Sequence, residues 1–291
     1  MSRLGATLVL ASAVAFGVMP LFGKLSFEAG VSVSTLLFVR FAIAAPVLWA
    51  GVAARRAIPR VSRGVLVRAL ALGGIGYATQ AGLYFAALSR MDASVLSLIL
   101  YGYPAMVTGA AILLRREPAN RRRLAALVTA SLGLVLVLAG SGAGGFDTAG
   151  ALLGFGASLA YTTYILVSDA VAAHVEPLPL AALVSTGAVV TLGLTGVITG
   201  SIDLGFAAEG WLWLLLAALV STVSAIVLFF SGMSRVGPST AAILSTLEPP
   251  VTVALVFFAF GEALGAVQVL GALAVLGAAV IVNLPQPARA R

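Results

Sequence analysis

Residues 83–94 read LYFAALSRMDAS, and residues 228–239 read LFFSGMSRVGPS. The two stretches align without a gap at an offset of 145 positions. The same offset carries Pro104 onto Pro249 and Glu117 onto Glu262, and sets Ala-Phe at 15–16 over Ala-Tyr at 160–161. From Leu83 to Glu117 seven of 35 positions are identical: Leu83, Phe85, Ser89, Arg90, Ser94, Pro104 and Glu117. Coincidence between Leu- and Ala-rich segments does not readily preserve a Ser-Arg pair, a Pro and a Glu at one spacing. Self-similarity at a fixed period marks a duplicated structural unit, so the chain is read as two units, residues 1–145 and 146–291.

Composition says what the unit is made of. The chain has 291 residues, 61% of them hydrophobic and 9% charged, against about 25% charged in soluble domains. Apolar stretches of about 20 residues, enough to cross about 30 Å of hydrocarbon, recur almost throughout. In lipid every backbone group must find its partner within the protein, which leaves helices or a closed barrel. These runs are too long and too uniformly apolar for the alternating strands of a barrel. The expectation is an all-α integral membrane protein with spans near 5–23, 33–53, 65–87, 93–114, 124–141, 149–170, 178–199, 209–232, 238–260 and 266–284. The first, preceded by Arg3, imitates a signal peptide, but no convincing cleavage site follows it and it is read as a retained helix. The 32 glycines fit close helix approach in a bilayer.

Charge then orients the spans. Fourteen of the 17 Lys and Arg fall in loops on one side: Arg3, the runs from Arg55 to Arg68 and from Arg115 to Arg123, Arg235, Arg289 and Arg291. The other side holds Lys24 and Arg90. The positive-inside rule therefore puts both termini in the cytoplasm. The basic runs are topology signals and lipid-headgroup contacts, so nucleic acid is not an expected partner. Five spans per unit is an odd number, so the two units cross the membrane in opposite senses. Arg90 outside and its mate Arg235 inside agree with this. An inverted repeat is the architecture of secondary transporters, with substrate bound near midplane between the repeats.

The pattern Ser-Arg, then Pro within a helix, then Glu at its end (SR…YP…E and SR…EP…GE) resembles the drug/metabolite transporter superfamily with paired EamA-type domains. The resemblance covers essentially the whole chain, and EPPVTVALVFFAFGEALGAVQVLGALAVLGAAVIV is its closer half. Arg40 in LLFVRFAIAAP is similar to the arginine usual in the family's second helix. The resemblance implies ten transmembrane helices as two inverted five-helix repeats around a central cavity. In length and character the compact bacterial amino-acid exporters of the YddG type are the nearest branch. A location in a bacterial inner membrane follows from that branch.

ILSTLEPPVTVAL (243–255) puts Glu248 near the middle of a span. A charge at that depth costs about 2.5–3.5 kcal/mol for Asp, Lys or Arg on insertion scales. Pro249 has no N–H for the carbonyl of Ser245, and Pro250 none for that of Thr246. Pro249 also biases Glu248 away from helical dihedrals. The expected result is a bend where freed carbonyls and a carboxylate share one space. Two readings stay open: Glu248 holds a substrate ammonium or a proton, or it clasps donors on neighbouring helices. Its repeat mate is Tyr103. Helical spacing puts Ser94, Ser97, Tyr101, Pro104 and Thr108 on one face of the fourth span, and Gly73, Tyr77, Gln80 and Tyr84 on one face of the third. Phe16, Met19, Pro20 and Gly23 share a face of the first, Tyr161, Tyr164 and Ser168 of the sixth, and Ser221 and Ser224 of the eighth. The resemblance places these helix pairs, first with sixth, third with eighth and fourth with ninth, around the cavity.

The candidate substrate residues are thus Phe16, Met19, Tyr77, Gln80, Tyr84, Tyr101, Tyr103, Tyr161, Tyr164, Ser224, Ser245 and Glu248. Pro20, Pro104, Pro249 and Pro250 are candidate kinks. Arg40 is read as pairing with an acid or with helix-terminal carbonyls. Glu117 and Glu262, mates at helix ends on opposite sides, are read as caps or gate contacts.

The sequence contains no cysteine and one histidine, His174. That leaves little to build a membrane-embedded enzyme or a metal site, and no Walker-type glycine loop is present for an ATP-driven pump. No cofactor is expected. The reading is a secondary exporter of amino acids or related small metabolites. Alternatives are drugs or other metabolites, with nucleotide-sugar or phosphate-ester exchange less favoured because midplane cations are scarce. The internal duplication makes a monomer sufficient.

Overall fold

The computed structural model describes residues 3–56, 61–114, 121–139, 147–172, 174–236, 241 and 244–283. Among these residues the regular structure is entirely helical, with no strand. The helices are α1 (Arg3–Gly17), α2 (Met19–Glu28), α3 (Val33–Ala54), α4 (Arg63–Ala71), α5 (Ala78–Leu88), α6 (Ala93–Leu100), α7 (Tyr103–Leu113), α8 (Arg121–Ala139), α9 (Thr148–Ala172), α10 (Pro177–Thr199), α11 (Glu209–Ala218), α12 (Ala225–Val236), α13 (Glu248–Phe260) and α14 (Ala266–Asn283). Two π-helical stretches, Leu72–Tyr77 and Leu219–Ser224, join α4 to α5 and α11 to α12. Each stretch read as a span is helical over most of its described residues.

Local chemistry sets the ends. Ser32 and Ser62 cap α3 and α4 by accepting from the N–H groups of Thr35 and Val65, donors with no helical acceptor. Pro177 opens α10 at a position where a missing N–H costs nothing. Gly200 and Gly261 close α10 and α13 at φ 62° and 70°, a left-handed backbone that a residue without Cβ adopts freely.

Among the described residues, five helical stretches are long and apolar enough to cross a bilayer: Arg3–Glu28, Val33–Ala54, Thr148–Ser168, Pro177–Thr199 and Glu209–Met233. Ala93–Val107, Leu124–Ala139, Glu248–Phe260 and Ala266–Ala278 are shorter apolar helices. Large apolar side chains stand exposed along these rods, among them Phe258 at 84% and Ile198 at 82%. In water so much exposed apolar surface would drive association; against lipid it is the matched surface.

Packing pairs the early helices with the late ones. α1 lies on α12, α3 on α10, α5 on α9, α6 on α13 and α8 on α14. Glycine permits the closest crossings. A Cβ on Gly73 would sit 1.9 Å from the Val184 carbonyl oxygen, and one on Gly133 would sit 2.8 Å from that of Gly271. The tight Gly73 crossing coincides with the first π stretch. In the second, Thr222 Oγ1 and Ser224 Oγ each donate to the carbonyl five residues back, Ala217 at 2.9 Å and Leu219 at 2.7 Å.

Three breaks are local and share one design. They fall at Val18, at Tyr101–Gly102 and at Thr246–Leu247, the last two at the 145-residue offset. In each case a proline is the second residue of the helix that follows: Pro20 in α2, Pro104 in α7 and Pro249 in α13. The bend expected at Glu248 therefore falls before it, and Glu248 is the first residue of α13. A proline in the first turn of a new helix removes only N–H groups that have no partner within that helix, so the chain turns before the prolines rather than at them.

Candidate functional site

Each of the three prolines removes the donor for the carbonyl four residues earlier, those of Phe16, Leu100 and Ser245. All three of these residues line one cavity of about 250 Å3. Hydroxyls from other parts of the chain come within hydrogen-bond reach of two of the freed acceptors, Leu100 O and Ser245 O. Ser158 Oγ of α9 donates to Ile99 O at 2.9 Å, with Leu100 O at 3.4 Å. The Tyr101 hydroxyl lies 2.7 Å from Ser245 O and 2.9 Å from Glu248 Oε2. Thr252 Oγ1, one turn along α13, donates to Gly17 O at 2.8 Å. That bond fastens the break after α1 to the start of α13.

All six tyrosines of the chain line this cavity. Five of them form a belt with Phe41. Ring centroids are 5.4 Å apart for Phe41–Tyr77, 5.7 Å for Tyr77–Tyr164, 6.0 Å for Tyr164–Tyr161, 4.7 Å for Tyr161–Tyr103 and 5.7 Å for Tyr103–Tyr101. Four of the five contacts are edge-on and Tyr161–Tyr164 is stacked, arrangements favoured by the ring quadrupole. The belt ends on Glu248 through Tyr101. Tyr84, edge-on to Phe85 at 5.3 Å, completes the set.

Of the twelve candidates read from sequence, Phe16, Met19, Tyr77, Gln80, Tyr84, Tyr101, Tyr103, Tyr161, Tyr164, Ser245 and Glu248 are brought to this one cavity. Ser224 is not. Its side chain is exposed and its hydroxyl is spent on Leu219 O, because the π stretch rotates the following face of the helix. Ile226 and Phe229 of α12 line the cavity instead. Ser94 and Ser97 are buried but do not line it, and Ser97 Oγ donates to Ser94 O. The side chain of Thr108 and all of Glu117 lie outside the described residues.

Arg40 also departs from expectation. No acid pairs with it among the described residues, and its Nη1 donates to Met19 Sδ at 3.0 Å. It lies 4.5 Å from the Phe41 ring centroid and 5.0 Å from that of Phe85, on the cavity wall. The acid that does find a cation is Glu262: Oε1 pairs with Lys24 Nζ, while Oε2 accepts from Ser94 N at 3.3 Å. One carboxylate thereby ties the end of α2, the start of α6 and the turn after α13.

A family model for EamA-like transporters matches the chain twice, over residues 3–139 and 148–284. The chain belongs to the EamA-like transporter family. It is thus a member of the drug/metabolite transporter superfamily, whose proteins are multi-pass membrane transporters. Among relatives, the "Uncharacterized transporter YcbK" of Bacillus subtilis (strain 168) is 26% identical over 275 residues, 91% of this chain and 88% of that protein. A solved crystal structure shares the fold at a TM-score of 0.65 and 20% identity, covering 96% of each chain.

For this EamA-family chain, sequence reasoning missed one wall of the cavity. Leu180, Ala181, Val184 and Ser185 of α10, with Arg40 and Phe41 of α3, line it as well. The signal in α3 was the arginine itself, which has no reason to sit in an apolar helix without an inward face. In α10 small and apolar residues at i and i+4 were indistinguishable from ordinary packing.

Proposed function

We propose that this EamA-family protein is a secondary transporter that exports amino acids or related small metabolites across a bacterial inner membrane by alternating access. The observation that carries the reading is the convergence of all six tyrosines, Gln80 and Glu248 on one cavity. Aromatic walls with a few polar groups suit a small amphipathic solute. About 250 Å3 lies just below the range of most small-molecule sites, about 300–1,000 Å3, and so favours small metabolites over bulky drugs. A phosphate ester would call for more cations than the single arginine on this wall.

The proposed architecture is two inverted five-helix units, residues 1–145 and 146–291, with both termini cytoplasmic. Its support is the 145-residue offset shared by sequence and by two helix breaks. The packing pairs add to this: exchanging the units turns α1 on α12 into α9 on α5 and maps α3 on α10 and α8 on α14 onto themselves. Lys24–Glu262–Ser94 then acts as the outer latch. A second recess, of about 340 Å3, shares Ile226 with the main cavity and is lined by Arg55, Glu176 and Arg235. It borders the arginine-rich side.

Purified protein in liposomes tests the reading. Uptake of labelled amino acids, with unlabelled competitors and with or without a proton gradient, should be saturable and protein-dependent. If no amino acid is carried or competes, the reading falls.

A further inference from the structure

Arg40 has a different standing from every other charged group in the described fold. It is 1% exposed, within a helix long and apolar enough to span a bilayer. Its Nε and Nη2 have no hydrogen-bond partner, Nη1 donates to a thioether, and its other polar neighbours are the hydroxyls of Tyr77 and Tyr84, with no acid among them. A guanidinium offers five donors in a rigid fork, and burying them unpaired is costly unless something arrives to fill them. Lys24 and Glu262, by contrast, neutralise one another, so neither is left to meet a solute.

We propose that Arg40 is the binding residue for the carboxylate of the transported solute. The inference rests on the proposed transport reading, in which this cavity is the substrate site. The aromatic faces of Phe41 and Phe85 hold the guanidinium plane, and the weak acceptor Met19 Sδ leaves Nε and Nη2 unpaired in a residue of the cavity wall, to be uncovered when the cavity opens to a solute. A carboxylate accepts two parallel N–H bonds from such a fork. Glu248 lies at the far end of the tyrosine belt, and no ion pair joins it to Arg40. Tyr84 is within electrostatic reach of both charges. Two buried charges of opposite sign, kept apart by ring faces, select a solute that carries an anion and a cation on an apolar body. The anion end is Arg40.

The test measures binding of 3-phenylpropionate and its neutral isostere 3-phenylpropanamide to the purified full chain, by thermal shift and by quenching of intrinsic fluorescence. Wild type should bind the carboxylate at least about tenfold more tightly than the amide. In Arg40→Met the two affinities should converge to within about threefold, while Arg40→Lys keeps a reduced preference. Replacing a buried, unpaired charge by an apolar side chain of similar length is neutral or stabilising, so Arg40→Met should melt at or above the wild-type temperature. Three results overturn the proposal: a wild-type ratio within threefold, a ratio unchanged in Arg40→Met, or an Arg40→Met protein that melts lower or does not fold. The last would make Arg40 a structural clasp. Because the probes are not amino acids, this outcome is independent of liposome uptake. Carboxylate discrimination without amino-acid uptake would sink the export reading and leave the Arg40 site standing.

Discussion

The Tyr101 hydroxyl lies 2.9 Å from Glu248 Oε2 and 2.7 Å from the carbonyl oxygen of Ser245, and it has one hydrogen to donate. When Glu248 is ionised the hydrogen goes to the carboxylate, and the carbonyl freed by Pro249 loses its donor. When Glu248 is protonated it donates to Tyr101, and Tyr101 donates to Ser245. The proton on Glu248 thus decides whether the break before α13 is fully hydrogen-bonded. Tyr101→Phe removes both arrangements and leaves buried acceptors unpaired, at a cost of about 1–3 kcal/mol. A melting temperature unchanged in detergent would show that the hydroxyl carries no such bond.

Glu248→Gln keeps a side chain of the same shape beside Tyr101 but cannot be charged. The protein should fold with near-native stability, and kcat/KM for ammonium-bearing solutes in liposomes should drop at least about tenfold. That loss is the scale of one charge-assisted hydrogen bond, about 1.5–3 kcal/mol. An unchanged rate and pH profile would leave Glu248 as a clasp between α6 and α13.

Glu262→Gln should weaken the latch with Lys24 and raise the share of molecules open on the outer side. The chain has no cysteine, so a single Ala81→Cys on the cavity wall gives a clean readout. A membrane-impermeant thiol reagent applied from outside should react faster in the Glu262→Gln background. Equal rates in both backgrounds would remove the gate assignment.

Gly73→Ala introduces a Cβ 1.9 Å from the Val184 carbonyl oxygen, and backbone on both sides cannot yield cheaply. Overpacking of this kind costs about 1–3 kcal/mol or more. Gly64→Ala, which meets nothing within 4 Å, is the control. Comparable melting temperatures for the two variants would refute the close crossing of α10 with the first π stretch.

At the entry to α9, Asp147 Oδ1 accepts from Gly150 N at 2.9 Å, and Arg90 lies 3.6 Å from Oδ2. The Gly150 N–H, first, and then Ala149 N–H and Arg90, hold this carboxyl below its ordinary range against a smaller opposing effect of desolvation. A depressed value stabilises the fold at pH above the unfolded aspartate's, about 3.9, and that contribution fades as pH falls through the folded value. Asp147→Asn, which still caps but does not titrate, should flatten the acid limb of a stability–pH curve. An acid limb identical to wild type would mean that Asp147 contributes nothing to it.

Much of the site was legible because the residues that build it are anomalous in oil. Tyr101, Tyr103 and Glu248 each sit within three residues of a proline in an otherwise apolar span, and polar atoms at that depth need an inward face. The tyrosines at 77, 84, 161 and 164 recur at helical spacing, so their shared faces followed from periodicity. Ser224 failed for a backbone reason. The face assigned to it presumed a regular α-helix, and the π stretch at Leu219–Ser224 shifts the register by part of a turn. Nothing in LVSTVS marks that stretch until Thr222 and Ser224 are seen donating five residues back.

The sequence by itself determined the medium, the helical stretches and the family resemblance, and it marked the breaks to within a few residues. Hydropathy, proline geometry and a repeat offset are properties of the chain that survive any packing. Tertiary structure decided which freed carbonyl met which hydroxyl, that Glu262 went to Lys24, and that Arg40 was left without an acid. Those outcomes depend on groups from 58 to 238 positions apart arriving within about 3 Å of one another, and no local pattern encodes that distance.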